Sequence, residues 1–242
     1  MGLSEVAHKV FRLGTRWANF YLVVEGDEAT LVDAGYPGYA KLVPRALESV
    51  GLKESAIAAI VVTHHHVDHA GSAARVRAAT GARVLVGPGD AAIVRGERPS
   101  HVPPGFYRQS WRPSMLRYLA HSAVSGGATY RPTSEVELLE DGQVLDVPGR
   151  TRPVYTPGHT AGHVSVVLDE LGVLFSGDAL VNFDYATGRH ALGQHRFNED
   201  RERAWTSLDR LWDVDAETVL FGHGDPWRHG SRRALEIVRA GM

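Results

Sequence analysis

The chain has 242 residues, 43% hydrophobic and 22% charged, with a formal net charge of −2 and no cysteine. That balance supports one sizeable core and excludes a disordered or collagenous chain, while the missing thiols exclude disulfides, Cys-ligated metal and Cys nucleophiles. A surface this close to neutral offers no field for a polyanion, so nucleic acid is not an expected partner.

Val10 to Leu13, Phe20 to Val24 and Ala29 to Val32 read as opening strands joined by turns such as Glu25-Gly26-Asp27. Tyr39, Leu42, Val43, Ala46, Leu47 and Val50 recur at helical spacing up to a stop at Gly51. Pro44 lacks an amide hydrogen, so regular helix is expected only from there. Ile57 to Val62 is a short apolar strand, and Ala70 to Thr80 reads as the helix after it. Val144 to Val147, Arg152 to Tyr155, Val164 to Leu168 and Val173 to Phe175 then alternate with Gly and Pro turns as a second set of strands. Asn198, followed by Glu199 and Asp200, resembles a helix N-cap with an acidic first turn. It leads into Trp205, Leu208, Leu211 and Trp212 on one face. Val219 to Phe221 closes the strands and Arg232 to Ala240 the helices. With no internal repeat and no linker, residues 1–242 are expected to form a single domain.

One stretch breaks this rhythm. From about 87 to 132 the chain carries Arg95, Arg98, Arg108, Arg112, Arg117 and Arg131 against Asp90 and Glu97, interleaved with Phe106, Tyr107, Trp111, Tyr118 and Tyr130. Two readings stand: a helical cover or homodimer contact, or a lid that recognises a small-molecule substrate with an apolar group beside a carboxylate or phosphate.

The run Thr63-His64-His65-His66-Val67-Asp68-His69 places four metal-competent side chains, His64, His66, Asp68 and His69, just past the strand Ile57 to Val62. Ligands in α/β proteins commonly sit beyond such strand ends. In extended backbone His64 and His66 project to one side and can share an ion, whereas Asp68 and His69 lie beyond the turn and can face a second. His65, between them, should point away. The alternative is a polar loop with a chance His cluster. Three further apolar runs end in Gly-flanked His or Asp: Thr156-Pro157-Gly158-His159-Thr160-Ala161-Gly162-His163, Phe175-Ser176-Gly177-Asp178 and Phe221-Gly222-His223-Gly224.

Taken together, these segments closely resemble the metallo-β-lactamase superfamily in the order His-x-His-x-Asp-His, His, Asp, His, over about Ala18 to Gly224. The resemblance implies an α/β (α+β) fold, a four-layer αβ/βα sandwich of two mixed β-sheets flanked by helices. It implies two divalent metal ions, with His64, His66 and His159 holding the first, Asp68, His69 and His223 the second, and Asp178 bridging. Zinc suits these donors best, and manganese and iron also suit them. Asp33, in Leu31-Val32-Asp33-Ala34-Gly35, matches a family position beside the site and is expected to orient a ligand His. His163 falls where the family usually has a structural residue. His8, His101, His121, His190, His195 and His229 have no motif around them, although His190 and His195 follow Asp178 in a loop that could border the pocket.

The chemistry so implied is attack by a metal-bridging hydroxide on the carbonyl of a small ester, thioester or lactone, with Asp68 also steering the water's proton. β-Lactam hydrolysis is disfavoured, because the subfamily sharing this motif generally lacks the bridging Asp and is secreted. Met1-Gly2-Leu3-Ser4-Glu5-Val6 has no signal-peptide apolar stretch, and no run approaches a membrane span. A cytoplasmic, membrane-free location is therefore expected. Glyoxalase II resembles the Thr63 to Gly71 and Pro157 to His163 segments, but its glutathione-binding C-terminal region has no counterpart in the 19 residues after His223. The acyl-homoserine-lactone hydrolases place a Tyr soon after the bridging Asp; Val181 stands near that position and Tyr185 follows, the candidate for that role. The alternative class is an iron redox enzyme of the persulfide-dioxygenase kind, which retains much of the same His motif.

Overall fold

The computed structural model describes residues 3–100, 102 and 105–241. Seven strands form the first sheet in chain order: β1 (Ser4–Ala7), β2 (Val10–Thr15), β3 (Ala18–Glu25), β4 (Glu28–Val32), β5 (Ile57–Val62), β6 (Arg83–Val86) and β7 (Glu137–Leu138). The first four pair antiparallel, and β4 through β7 pair parallel. The second sheet contains β8 (Arg152–Tyr155), β9 (Val164–Leu168) and β10 (Val173–Gly177), with β13 (Thr218–Phe221) joined parallel to β10. β11 (Val181–Asp184) and β12 (Arg189–Gly193) make a separate hairpin.

Side-chain alternation explains the layering. Along β3, Phe20 and Leu22 face an outer helical layer while Tyr21 and Val23 face the second sheet. Along β10, Val173 and Phe175 face the first sheet and Leu174 faces the opposite side. Both faces of these strands are dry, so their sequences read as nearly continuous apolar runs. The first outer layer contains α1 (Leu42–Ser49) and α3 (Ala73–Thr80), and the second contains α7 (Ser231–Ala240) with Leu208 and Leu211. The result is the four-layer sandwich of two mixed sheets that the motif resemblance implies.

Several elements differ from the sequence reading. Ser4–Ala7, Arg83–Val86 and Glu137–Leu138 form strands beyond those the sequence pattern marks. Helix starts at Leu42, with Pro44 accommodated in its first turn where the missing amide hydrogen costs no intrahelical bond. The expected helix from Ala70 to Thr80 is split into α2 (Val67–Ala70) and α3. The Ser72 N–H donates to Gly35 O at 3.1 Å and its hydroxyl to Ala34 O at 2.6 Å, so a bond to the loop after β4 replaces the helical one. Gly71 is required there, since a Cβ would lie 2.1 Å from Val67 O. Val144 to Val147 is not a strand: Leu145 and Val147 do point into the inter-sheet core, but the chain turns back at once through Arg150 N–H to Val147 O. The cap of α6 (Arg201–Ser207) is Asp200, whose carboxylate accepts from Arg203 N–H, rather than Asn198. The 87–132 stretch contains α4 (Pro88–Val94) and α5 (Pro113–Val124).

Candidate metal centre

The candidate ligands and the supporting Asp33 all follow the C-terminal ends of strands: Asp33 after β4, the His64 to His69 run after β5, His159 after β8, Asp178 after β10 and His223 after β13. In the second sheet β8, β10 and β13 run the same way, so their ends share one edge. That edge meets the ends of β4 and β5 across the inter-sheet core. At β13 the backbone passes so close that a Cβ on Gly222 would meet Asp178 Oδ1 at 2.3 Å and His69 Cε1 at 2.5 Å.

Asp178 lies at the centre of the cluster. Its Oδ1 is 3.5 Å from His69 Nε2, and its Oδ2 is 3.2 Å from His223 Nε2 and 3.4 Å from His159 Nε2. Asp68 Oδ2 lies 3.6 Å from His223 Nε2. Five donor groups form among the described residues, each with donor atoms within 4.8 Å of one another. Three consist of sequence-predicted ligands alone: His64, His66 and His159; His64, His69 and Asp178; and Asp68, His69 and His223. The others are His65, His66 and Glu199, and His159, Asp178 and His195. All seven sequence-predicted ligands converge on one place, and every one except His66 is buried.

The ring nitrogens facing away from the cluster fix which nitrogen is available inside it. His69 donates through Nδ1 to Asp33 Oδ2 at 2.7 Å, His223 to Trp17 O at 2.7 Å, and His159 to Asn198 Oδ1 at 3.1 Å. Thr63 directs its hydroxyl hydrogen to Asp33, so its oxygen accepts from His64 Nδ1 at 3.1 Å. With its ring neutral, as ligation requires, each of these four then presents an Nε2 lone pair inward. His64 Nε2, His66 Nε2, His69 Nε2 and Asp178 Oδ1 are buried with no hydrogen-bond partner among the described residues, and orphaned buried groups of this kind are costly unless a cation satisfies them. The donor set, imidazole and carboxylate with no thiolate, fits a divalent ion.

The local field points the same way. Burial first, then the neighbouring imidazoles, push His64, His66 and His159 well below the usual histidine range, which keeps their lone pairs free. Burial opposes charge on His69, but Asp33 and Asp178 outweigh it and raise its pKa to about 10. Burial alone would raise Asp178, yet His223 and His69 hold it well below the carboxylate range. A centre that draws positive charge onto buried imidazoles is one where a divalent cation is electrostatically favoured.

Asp33 supports the site from behind with a backbone φ of 62°, the left-handed region that Asp tolerates better than most residues. Its carboxylate is held by the Thr63 N–H at 2.7 Å and the Thr63 hydroxyl at 2.9 Å as well as by His69. His163 stands outside the ligand set: its Nε2 accepts from Asp178 N–H at 2.9 Å, so Nδ1 carries the hydrogen and donates to Thr156 Oγ1 at 2.9 Å. His65 turns its Nε2 to Glu199 Oε1, 3.5 Å away. His8, His190 and His229 are exposed and His121 bonds Tyr39, so none of these joins the cluster; His101 lies outside the described residues.

The structure also brings in residues that the motifs did not flag as part of the site. Tyr118, from α5, donates its hydroxyl to Asp68 Oδ2 at 3.1 Å and stacks on Tyr185 with ring centres 3.9 Å apart. Burial raises both phenols well above their usual range, so both keep their hydroxyl hydrogens. His195 is buried with Nε2 3.5 Å from Asp178 Oδ2. Asp90 anchors the two ligand loops to each other, accepting from His65 N–H, Thr160 hydroxyl and Gly162 N–H. A chamber of about 130 Å³ opens onto the cluster, walled by Val67, Phe106, Tyr118, Tyr185, His195 and Phe197.

The fold and this centre define the class. The chain belongs to the metallo-beta-lactamase superfamily, whose family model matches residues 14–223. Among its relatives is a probable metallo-hydrolase of Bacillus subtilis, YflN, 28% identical over 92% of this chain and 86% of that protein. A hydroxyacylglutathione hydrolase of Methylococcus capsulatus is 31% identical over 83% of this chain but only 60% of its own length. A metallo-beta-lactamase family protein from Thermus thermophilus superposes with a TM-score of 0.70 at 26% identity, covering 98% of this chain and 80% of that one. Among the described residues no helix is long and apolar enough to cross a membrane.

Proposed function

We propose that this protein is a dinuclear metal-dependent hydrolase of a small ester, thioester or lactone. The observation that carries the reading is the convergence of inward Nε2 lone pairs of His64, His69, His159 and His223 around the Asp178 carboxylate. In it, His64, His66 and His159 hold one divalent ion, Asp68, His69 and His223 the other, and Asp178 both. Two such ions, when bound, supply a water acidic enough to act near neutral pH and a Lewis acid for the substrate carbonyl. Asp33 keeps the His69 lone pair aimed inward, and Tyr118 keeps Asp68 in place. Tyr185, stacked on Tyr118 and lining the chamber, closes one wall against water.

The chamber bears on substrate size. At about 130 Å³ it is well below the roughly 300 Å³ or more of sites that enclose a drug-sized ligand, so the reacting carbonyl enters and the remainder lies outside. Just beyond Phe197, an outer hollow of about 470 Å³ is lined by Arg108, Arg112, Arg196 and Arg201 beside Trp111. This hollow favours a substrate carrying an anionic group next to an apolar one. Turnover by zinc-loaded protein of an aryl ester, a thioester, a lactone and a β-lactam tests the proposal. Ester-type turnover with little on the β-lactam is expected. Full metal loading without hydrolysis of any of the four would contradict it.

A further inference from the structure

The orientation rule that makes four imidazoles ligands separates a fifth from them. His69, His159 and His223 each donate from Nδ1 to an oxygen, which leaves an inward lone pair. His195 is held the opposite way: its Nδ1 accepts the backbone N–H of Phe197 at 3.2 Å. A backbone amide can only donate, so Nδ1 carries the lone pair and the neutral ring carries its hydrogen on Nε2. That Nε2 is the atom facing the cluster, 3.5 Å from Asp178 Oδ2, a distance too long for a firm hydrogen bond. By proximity alone His195 would pass for a ligand, since its donor atom lies within 4.8 Å of those of His159 and Asp178. To ligate through Nε2, however, it would have to place a hydrogen on Nδ1 against the Phe197 N–H.

We propose that His195 is a catalytic hydrogen-bond donor, its Nε2–H directed at the substrate oxygen that gains negative charge during hydrolysis. The proposal rests on the hydrolase reading above. The ring is buried, it lines the same chamber as Tyr185 and Phe197, and its centre lies 4.5 Å from that of His159 and 5.4 Å from that of Tyr185. A donor fixed in a dry site before the reaction needs no reorganisation as charge develops, which is how such groups act on the barrier rather than on binding. The short Gln194-His195-Arg196-Phe197 segment sets this orientation, because Nδ1 meets an amide only two residues along the same chain.

Two variants and one spectrum test the idea. In His195→Phe, kcat should fall about 100-fold with KM nearly unchanged, the usual scale for losing one such donor. Zinc per chain should stay at the wild-type value. His195→Gln, whose amide can donate from a similar distance, should recover part of the loss. A phosphonate that mimics the tetrahedral oxygen should bind His195→Phe more weakly by calorimetry, while a neutral ketone analogue of the substrate should bind equally well. Nitrogen-15 NMR of zinc-loaded protein should show a hydrogen on His195 Nε2 and none on Nδ1. Loss of zinc in His195→Phe, or a metal-bound Nε2 in the spectrum, would make His195 a ligand and overturn the proposal. Full zinc with unchanged kcat would make it a bystander. Wild-type protein with full zinc and no hydrolysis would refute the underlying function, and the donor role would fall with it.

Discussion

The two walls of the chamber are built differently. The strand-end wall carries His64, His69, His159, Asp178 and His223, each at most 2% exposed and each held by a hydrogen bond to a neighbouring group. The opposite wall comes from the 87–132 stretch together with Tyr185, His195 and Phe197; in that stretch Tyr118 is buried but Trp111 is 71% exposed and Leu116 53% exposed. The first wall is fixed by two sheets packed over a common core, while the second is short helices joined by loops. Reaction chemistry needs donors held within tenths of an ångström, and specificity needs a surface that changes without disturbing them. Under the proposed function, metal binding falls to the sheet edges and substrate choice to the cover.

The sharpest way to break that comparison is Asp178→Ala. If the strand ends hold the chemistry, second-metal occupancy and hydrolysis fall together, by about 100-fold or more. A variant with full metal and full rate would refute the bridging position. Asp33→Asn should follow with roughly a 10- to 100-fold loss of metal affinity, because the amide holds His69 less firmly while touching no metal; equilibrium dialysis against zinc measures it. On the other wall, Arg112→Ala should raise KM several-fold for an anionic ester and leave kcat and the neutral ester alone. An equal effect on both esters would mean that the arginines do not select charge.

A smaller effect concerns acid stability of the metal-free chain. Burial lowers His163 to about 4, against an ordinary value near 6.5. Between those values the unfolded chain binds a proton that the folded chain excludes, so stability is full above about 6.5 and declines as pH falls toward 4. Thermal melts of His163→Gln should show a weaker decline over that window, and an unchanged slope would remove His163 as its source.

What could be read beforehand follows from whether the signal is local. The His64 to His69 run, Gly158-His159, Gly177-Asp178 and Gly222-His223 each sit at the end of a short apolar run, so each motif carries its own structural context. Strands β2 to β5, β8 to β10 and β13 were legible because alternation and apolar length mark them, whereas β1, β6 and β7 were not. Tyr118 was not legible as a site residue, since its contact with Asp68 spans 50 residues and depends on where α5 is laid down. The break at Gly71 and Ser72 was hidden because its cause is a hydrogen bond to Gly35, in another loop. Val144 to Val147 has a strand's alternation, but its backbone pairs only across its own tight turn, Leu145 N–H to Thr151 O. His195 lacked any motif, and its orientation is set by the Phe197 amide, a backbone feature that residue types do not encode.

The central claim is that these strand ends hold two ions. The direct measurement is metal per chain after equilibrium dialysis of metal-free protein against zinc, read by elemental analysis for wild type and Asp178→Ala side by side. The account predicts two zinc per wild-type chain and one or fewer in the variant. A single ion in both proteins would contradict it and move the chemistry to a mononuclear centre.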